Sequence, residues 1–180
     1  MSIKDVIRDE VAQGRLVIFQ PRDRASQVKR HVFIHEEIDV RLKEAPTADD
    51  FDGLRFGYLQ VILESFVFGE IINISMNPDR KKSETAWARM KPVSDEIWDV
   101  RVVGREASLR VLGGFAMPDV FIGLEYEFRD NLEHRGDGPK WKAFVNRAKS
   151  KWRNIFTNYQ RHTGTCSSDY ITENTVETER

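Results

Sequence analysis

The runs IWDVRVV (97–103), SLRVLGGF (108–115) and DVFIGLEYEF (119–128) decide the fold. Apolar and polar residues alternate along each, the period of a half-buried strand. Trp98, Val100 and Val102 share one side of the first run, and Asp99 and Arg101 share the other. Leu109 and Val111 oppose Arg110 in the second. In the third, Val120, Ile122, Leu124, Tyr126 and Phe128 face away from Phe121, Gly123, Glu125 and Glu127. The linkers GREA (104–107) and MPD (117–119) are short enough for hairpins. Consecutive strands with short turns predict a three-stranded antiparallel meander over about 97–128.

Beyond the meander, RDNLEHRGDGP (129–139) reads as a loop. Trp141, Phe144, Val145, Ala148, Trp152, Ile155 and Phe156 then recur at helical spacing, which predicts a helix over 140–156 with one apolar stripe. Its other face is basic: Lys140, Lys142, Arg147, Lys149, Lys151 and Arg153. The segment 163–180 is polar and rich in Thr, Ser and Glu. It reads as a flexible tail after a single globular domain, 1–162, with Tyr170 and Ile171 as its docking point.

Before the meander, Ile3, Val6, Ile7 and Val11 mark a helix capped by Ser2 and ended by Gly14. The run 16–19 is a short strand. From 28 to 42 the even positions Val28, Val32, Ile34, Ile38, Val40 and Leu42 are apolar, which predicts strand with a break near Glu36 and Glu37. Thr47 and Asp50 signal a helix start, with Phe51, Leu54, Tyr58, Val61 and Ile62 as its core face and Gly69 as its end. Strands are expected over 70–76 and 85–90. The fold class is α+β: an antiparallel sheet packed by two or three helices.

The chain has 180 residues, of which 40% are hydrophobic, enough to bury a sizeable core. With 28 Lys+Arg against 29 Asp+Glu the net charge is -1, which argues against a protein-wide nucleic-acid clamp but leaves room for a local basic patch. The charged start leads us to expect no secretory leader, and no apolar run reaches membrane-spanning length. The lone Cys166 allows no internal disulfide and fits a reducing cytoplasm.

Chemistry is sparsely marked. His31, His35 and Glu36 form a partial metal set without a third histidine or cysteine at diagnostic spacing, so they read as solvated strand residues, and neither metal nor cofactor is expected. Gly113 and Gly114 lie inside a strand run and read as a bulge or a close-packing site. From 138 to 168 no acidic residue occurs, so the basic helix offers a surface to a phosphate backbone. The strand parity places Arg101, Arg110 and Arg129 on the sheet face opposite the main core, or at its end. Gathered there they would grip a phosphate bidentately; paired with Asp99, Glu125 and Glu127 they would only stitch strands together.

IWDVR, SLRVLGGFA and DVFIGLEYEFR, spanning 97–129, resemble the C-terminal half of RelE/HigB-type toxins. That family is a small α+β fold with an antiparallel sheet, and many members are ribosome-dependent messenger-RNA endonucleases that use no metal. The resemblance implies Arg101, Arg110 and Arg129 as the basic catalytic positions and His134 as an acid–base candidate. It also implies RNA or the ribosome, and an antitoxin-like protein, as partners. The expectation is a cytoplasmic bacterial-type protein, off the membrane, that cleaves RNA by metal-independent acid–base chemistry. The alternative is a non-catalytic module binding protein or nucleic acid through the basic helix at 140–153.

Overall fold

The computed structural model describes residues 1–23, 25–45, 51–104, 108–133 and 138–178. Helix α1 is Ile3–Ala12, opened by a capping box in which Ser2 Oγ accepts the Asp5 N–H and the Asp5 carboxylate accepts the Ser2 N–H. Strands β1 (Leu16–Ile18) and β2 (His31–His35) follow. The chain then turns helical rather than continuing as strand: α2 is Glu36–Glu44. Ile38 and Leu42, which fit a strand alternation, also stand i, i+4 on a helix and are buried there. Three acidic residues in the first turn favour the helical choice through the macrodipole.

Next come α3 (Phe51–Val67), β3 (Ile72–Ser75) and β4 (Trp87–Arg89), then the meander β5 (Trp98–Val102), β6 (Leu109–Met117) and β7 (Val120–Phe128). Helix α4 (Pro139–Ile155) and β8 (Thr175–Glu177) complete the chain. The Thr47 and Asp50 helix-start signal lies outside the described residues.

All eight strands join one sheet, in the order β1-β2-β7-β6-β5-β4-β3-β8. The meander is antiparallel, but β2 runs parallel to β7, and β3 runs parallel to both β4 and β8. The sheet is therefore mixed, not antiparallel throughout. The described residues form four helices, which cover both of its faces. Helices α2 and α3 close one face over Val32, Ile34, Trp98, Phe115 and Phe121. Helices α1 and α4 close the other over Leu16, Ile122 and Leu124.

One irregularity redirects the polar side chains of β7. Leu112 pairs with Glu125 and Gly113 with Gly123, so Leu124 is an extra residue in that strand. The bulge reverses the parity beyond it. Tyr126 and Phe128 pack with Phe56 of α3, away from Ile122. Glu125 and Glu127 turn toward α4.

The segment expected as a flexible tail is docked over 163–178. Tyr170 and Ile171 are fully buried, Asn174 donates to the Gly69 carbonyl at 2.8 Å, and β8 adds an outer strand beside β3. Two large apolar side chains hold down a polar strap that composition alone marks as loose.

Candidate anion-binding site

Arg101 on β5 and Arg110 on β6 are direct register partners. They share a sheet face with Asp99 and Leu112, on the α4 side. Like charges placed opposite each other repel. The pair persists because both guanidiniums have other anchors. Arg110 Nη1 donates to Asp99 Oδ2 at 3.1 Å, and Arg101 Nε lies 4.0 Å from the same oxygen. Arg101 Nη1 also donates to the carbonyls of Lys82 at 3.0 Å and Thr85 at 2.9 Å. Asp99 is 0% exposed and each arginine 9%. Burial, then repulsion from Arg110, holds the Arg101 guanidinium below its ordinary range, with Asp99 opposing.

Two more cations join them. Lys81 enters from the loop between β3 and β4. Burial lowers its ammonium below the usual lysine range; Asp99 opposes this, while Arg101, Arg110 and Arg129 reinforce it. Arg129, just past β7, donates to the Leu132 carbonyl at 3.0 Å and lies over the Trp141 ring. Arg101, Arg110 and Arg129 are thus brought to one end of the sheet, together with a lysine that sequence reasoning did not place there. His134 lies outside the described residues.

The expected strand partners Glu125 and Glu127 are engaged elsewhere. Arg147 of α4 spans both, at 2.8 Å and 3.0 Å, and Asn131 also donates to Glu127. Lys151 takes Glu125 at 2.7 Å and also pairs with Glu37. Lys149 pairs with Asp95. So half of the basic helix face holds α4 against the sheet and the turn before β5. Lys140, Lys142 and Arg153 remain exposed along it. With Glu127 committed to Arg147, Asp99 is, among the described residues, the carboxylate beside Arg101 and Arg110. Lys81 and Arg129 stand near the arginine pair, and the local field of these cations favours an anion.

A second cation went unread in the sequence. Arg161 lies across Gly114: a Cβ there would stand 2.7 Å from Arg161 Cδ. Its Nη1 donates to the Asp95 carbonyl at 3.0 Å, while Nε and Nη2 are buried without hydrogen-bond partners among the described residues. Burial brings this guanidinium down to about 10, against the attraction of Asp95. With Lys149 and Arg153 it lines a cavity of about 450 Å³ at the end of α4. The Gly-Gly pair was its only trace. Gly113 serves the bulge instead, since a Cβ there would meet the Ile122 carbonyl at 2.0 Å.

His35 acts locally: its Nδ1 accepts the Glu37 N–H at 3.4 Å and caps α2. Cys166 is exposed. Among the described residues no three His, Cys, Asp or Glu side chains gather as a metal set, and no helix is long and apolar enough to cross a membrane. No protein-family model matches the chain, and neither does any curated protein or solved structure.

Proposed function

We propose that the protein is a non-catalytic interaction module that binds RNA by its phosphates at the cluster of Lys81, Arg101, Arg110 and Arg129. The observation that carries this reading is the cross-strand pairing of Arg101 with Arg110 around one shared carboxylate. Asp99 matches Arg110 across the strands at 3.1 Å, but Arg101, which faces Arg110, shares that same carboxylate from 4.0 Å. Glu127, the register partner of Arg110, pairs with Arg147 instead. A phosphate diester bridging the cations would relieve their repulsion.

The proposed activity stops at binding. Among the described residues the carboxylate beside these cations, Asp99, is fully buried and held by Arg110, so it is not placed to accept a proton from a 2′-hydroxyl. Binding of a labelled single-stranded RNA, followed by anisotropy across a salt series, tests the proposal. Lys81→Gln removes a cation that makes no ion pair among the described residues, so the fold is spared. It is expected to weaken binding and to make the salt slope shallower by about one. Lys142→Gln, on the exposed face of α4, is expected to change neither. The reverse pattern would move the contact to the basic helix, and no binding at low salt would end the proposal. Shortened RNA after incubation would overturn its non-catalytic part and favour the toxin-like reaction.

A further inference from the structure

Helix α3 breaks the usual rule for a surface helix, which turns polar residues to water. Its exposed positions are Phe51, Leu54, Tyr58 and Val61, at 59%, 47%, 51% and 54%, and all four are apolar. The opposite side, including Phe56, Leu59, Leu63 and Phe66, is already packed on the sheet. This is why the sequence periodicity selected the wrong face as core: the helix carries apolar residues on two opposite sides, and the sheet takes the side not expected.

The exposed four are spaced three, four and three residues apart, the a/d rhythm of a helix–helix seam. The spacing is also self-complementary. Laid antiparallel on its own copy, the helix brings Phe51 against Val61 of the partner subunit and Leu54 against Tyr58 of the partner subunit. Each layer then sets a ring against an aliphatic side chain. The same contacts repeat across the two-fold axis, as a closed symmetric dimer requires.

Gly57 supports the same arrangement. A glycine inside a helix weakens it, and a Cβ at Gly57 would meet nothing within 4 Å, so the fold of one chain gives no reason for it. Lying between Leu54 and Val61 on this face, it allows a second backbone to approach closely. The four side chains leave roughly 350 Å² of surface open per copy, taking aromatic side chains at 150–250 Å². That is a little under half of the ~800 Å² per partner in a standard interface, so the stripe would supply its apolar centre and the polar residues around it the rim.

We propose that two copies of the chain associate through α3, antiparallel, along Phe51, Leu54, Tyr58 and Val61. Sedimentation equilibrium over a concentration series should show the mass rising from 21.0 kDa toward twice that value. Tyr58→Glu and Val61→Glu should hold it at the lower value with unchanged circular dichroism. Register is tested separately, in a Cys166→Ser background with oxidised glutathione as oxidant. A mixture of Leu54→Cys and Tyr58→Cys chains should cross-link to each other, and neither should cross-link well to itself. A single mass of 21.0 kDa at every concentration would overturn the proposal, as would a doubled mass indifferent to Tyr58→Glu. So would a monomer that sediments with lipid vesicles and loses this with Tyr58→Glu, which would assign the stripe to a membrane surface.

Discussion

Arg101 and Arg110 stand opposite each other on adjacent antiparallel strands, and one buried oxygen, Asp99 Oδ2, lies 3.1 Å from Arg110 Nη1 and 4.0 Å from Arg101 Nε. The meander thus carries a paired positive charge that its own alternation built, held in place by Asp99 and, for Arg101, by the Lys82 and Thr85 carbonyls.

Asp99→Asn should therefore be severe. The amide keeps the shape of the side chain but leaves two guanidiniums, each 9% exposed, facing one another without a counter-charge. Removing one member of a buried ionic set costs about 3–5 kcal/mol, read as a lower urea midpoint. Added inorganic phosphate should restore part of the loss, because an anion bound only by the folded state stabilises it by mass action.

The two adjacent glycines should behave differently. At Gly113 a new Cβ would lie 2.0 Å from a backbone oxygen of β7, where strand pairing allows no retreat. At Gly114 its closest contact would be the flexible Arg161 chain, at 2.7 Å. Gly113→Ala should lose several kcal/mol or fail to fold, as overpacked strand contacts do, while Gly114→Ala should lose about 1–3 kcal/mol. Thermal melts of the two variants decide the order.

The meander could be read because its strands are long enough to show a period and its turns too short for anything but hairpins. The outer strands offered less. β1, β4 and β8 have three residues each, and β2 meets β7 across some ninety intervening positions, so nothing local encodes their parallel pairing. Alternation also misplaced Tyr126 and Phe128, because one extra residue at Leu124 inverts every side chain after it. The arginines of the site followed from strand parity. Lys81 did not, since it reaches the cluster from a charged loop that carries no periodicity.

The docked strap rests on Tyr170, whose hydroxyl donates to Glu96 Oε2 at 2.7 Å and accepts the Gly164 N–H at 2.7 Å. Glu96 is buried and also pairs with Arg89. Tyr170→Phe keeps the ring against Trp98 but strands a carboxylate oxygen and an N–H. The expected loss is about 1–3 kcal/mol. Limited proteolysis should locate it: cleavage within 163–178 should appear in the variant well before the wild type is cut.

His35 gives the fold a pH dependence of known sign. Burial lowers its imidazole below the usual 6.5, and the Lys151 ammonium adds to this, while Glu37, Glu36 and Glu125 oppose. Its Nδ1 must also stay unprotonated to accept the Glu37 N–H. The unfolded chain therefore takes up this proton at a higher pH than the folded one. Above about pH 6.5 both states leave it neutral and the contribution is constant; as pH falls below that value the unfolded state gains and stability declines. His35→Asn removes the titration and keeps a side-chain oxygen suited to the same cap. Urea titrations from pH 8 to pH 5 should show a wild-type decline that is shallower in His35→Asn. Equal slopes would mean that the proton taken up in this range goes to other groups.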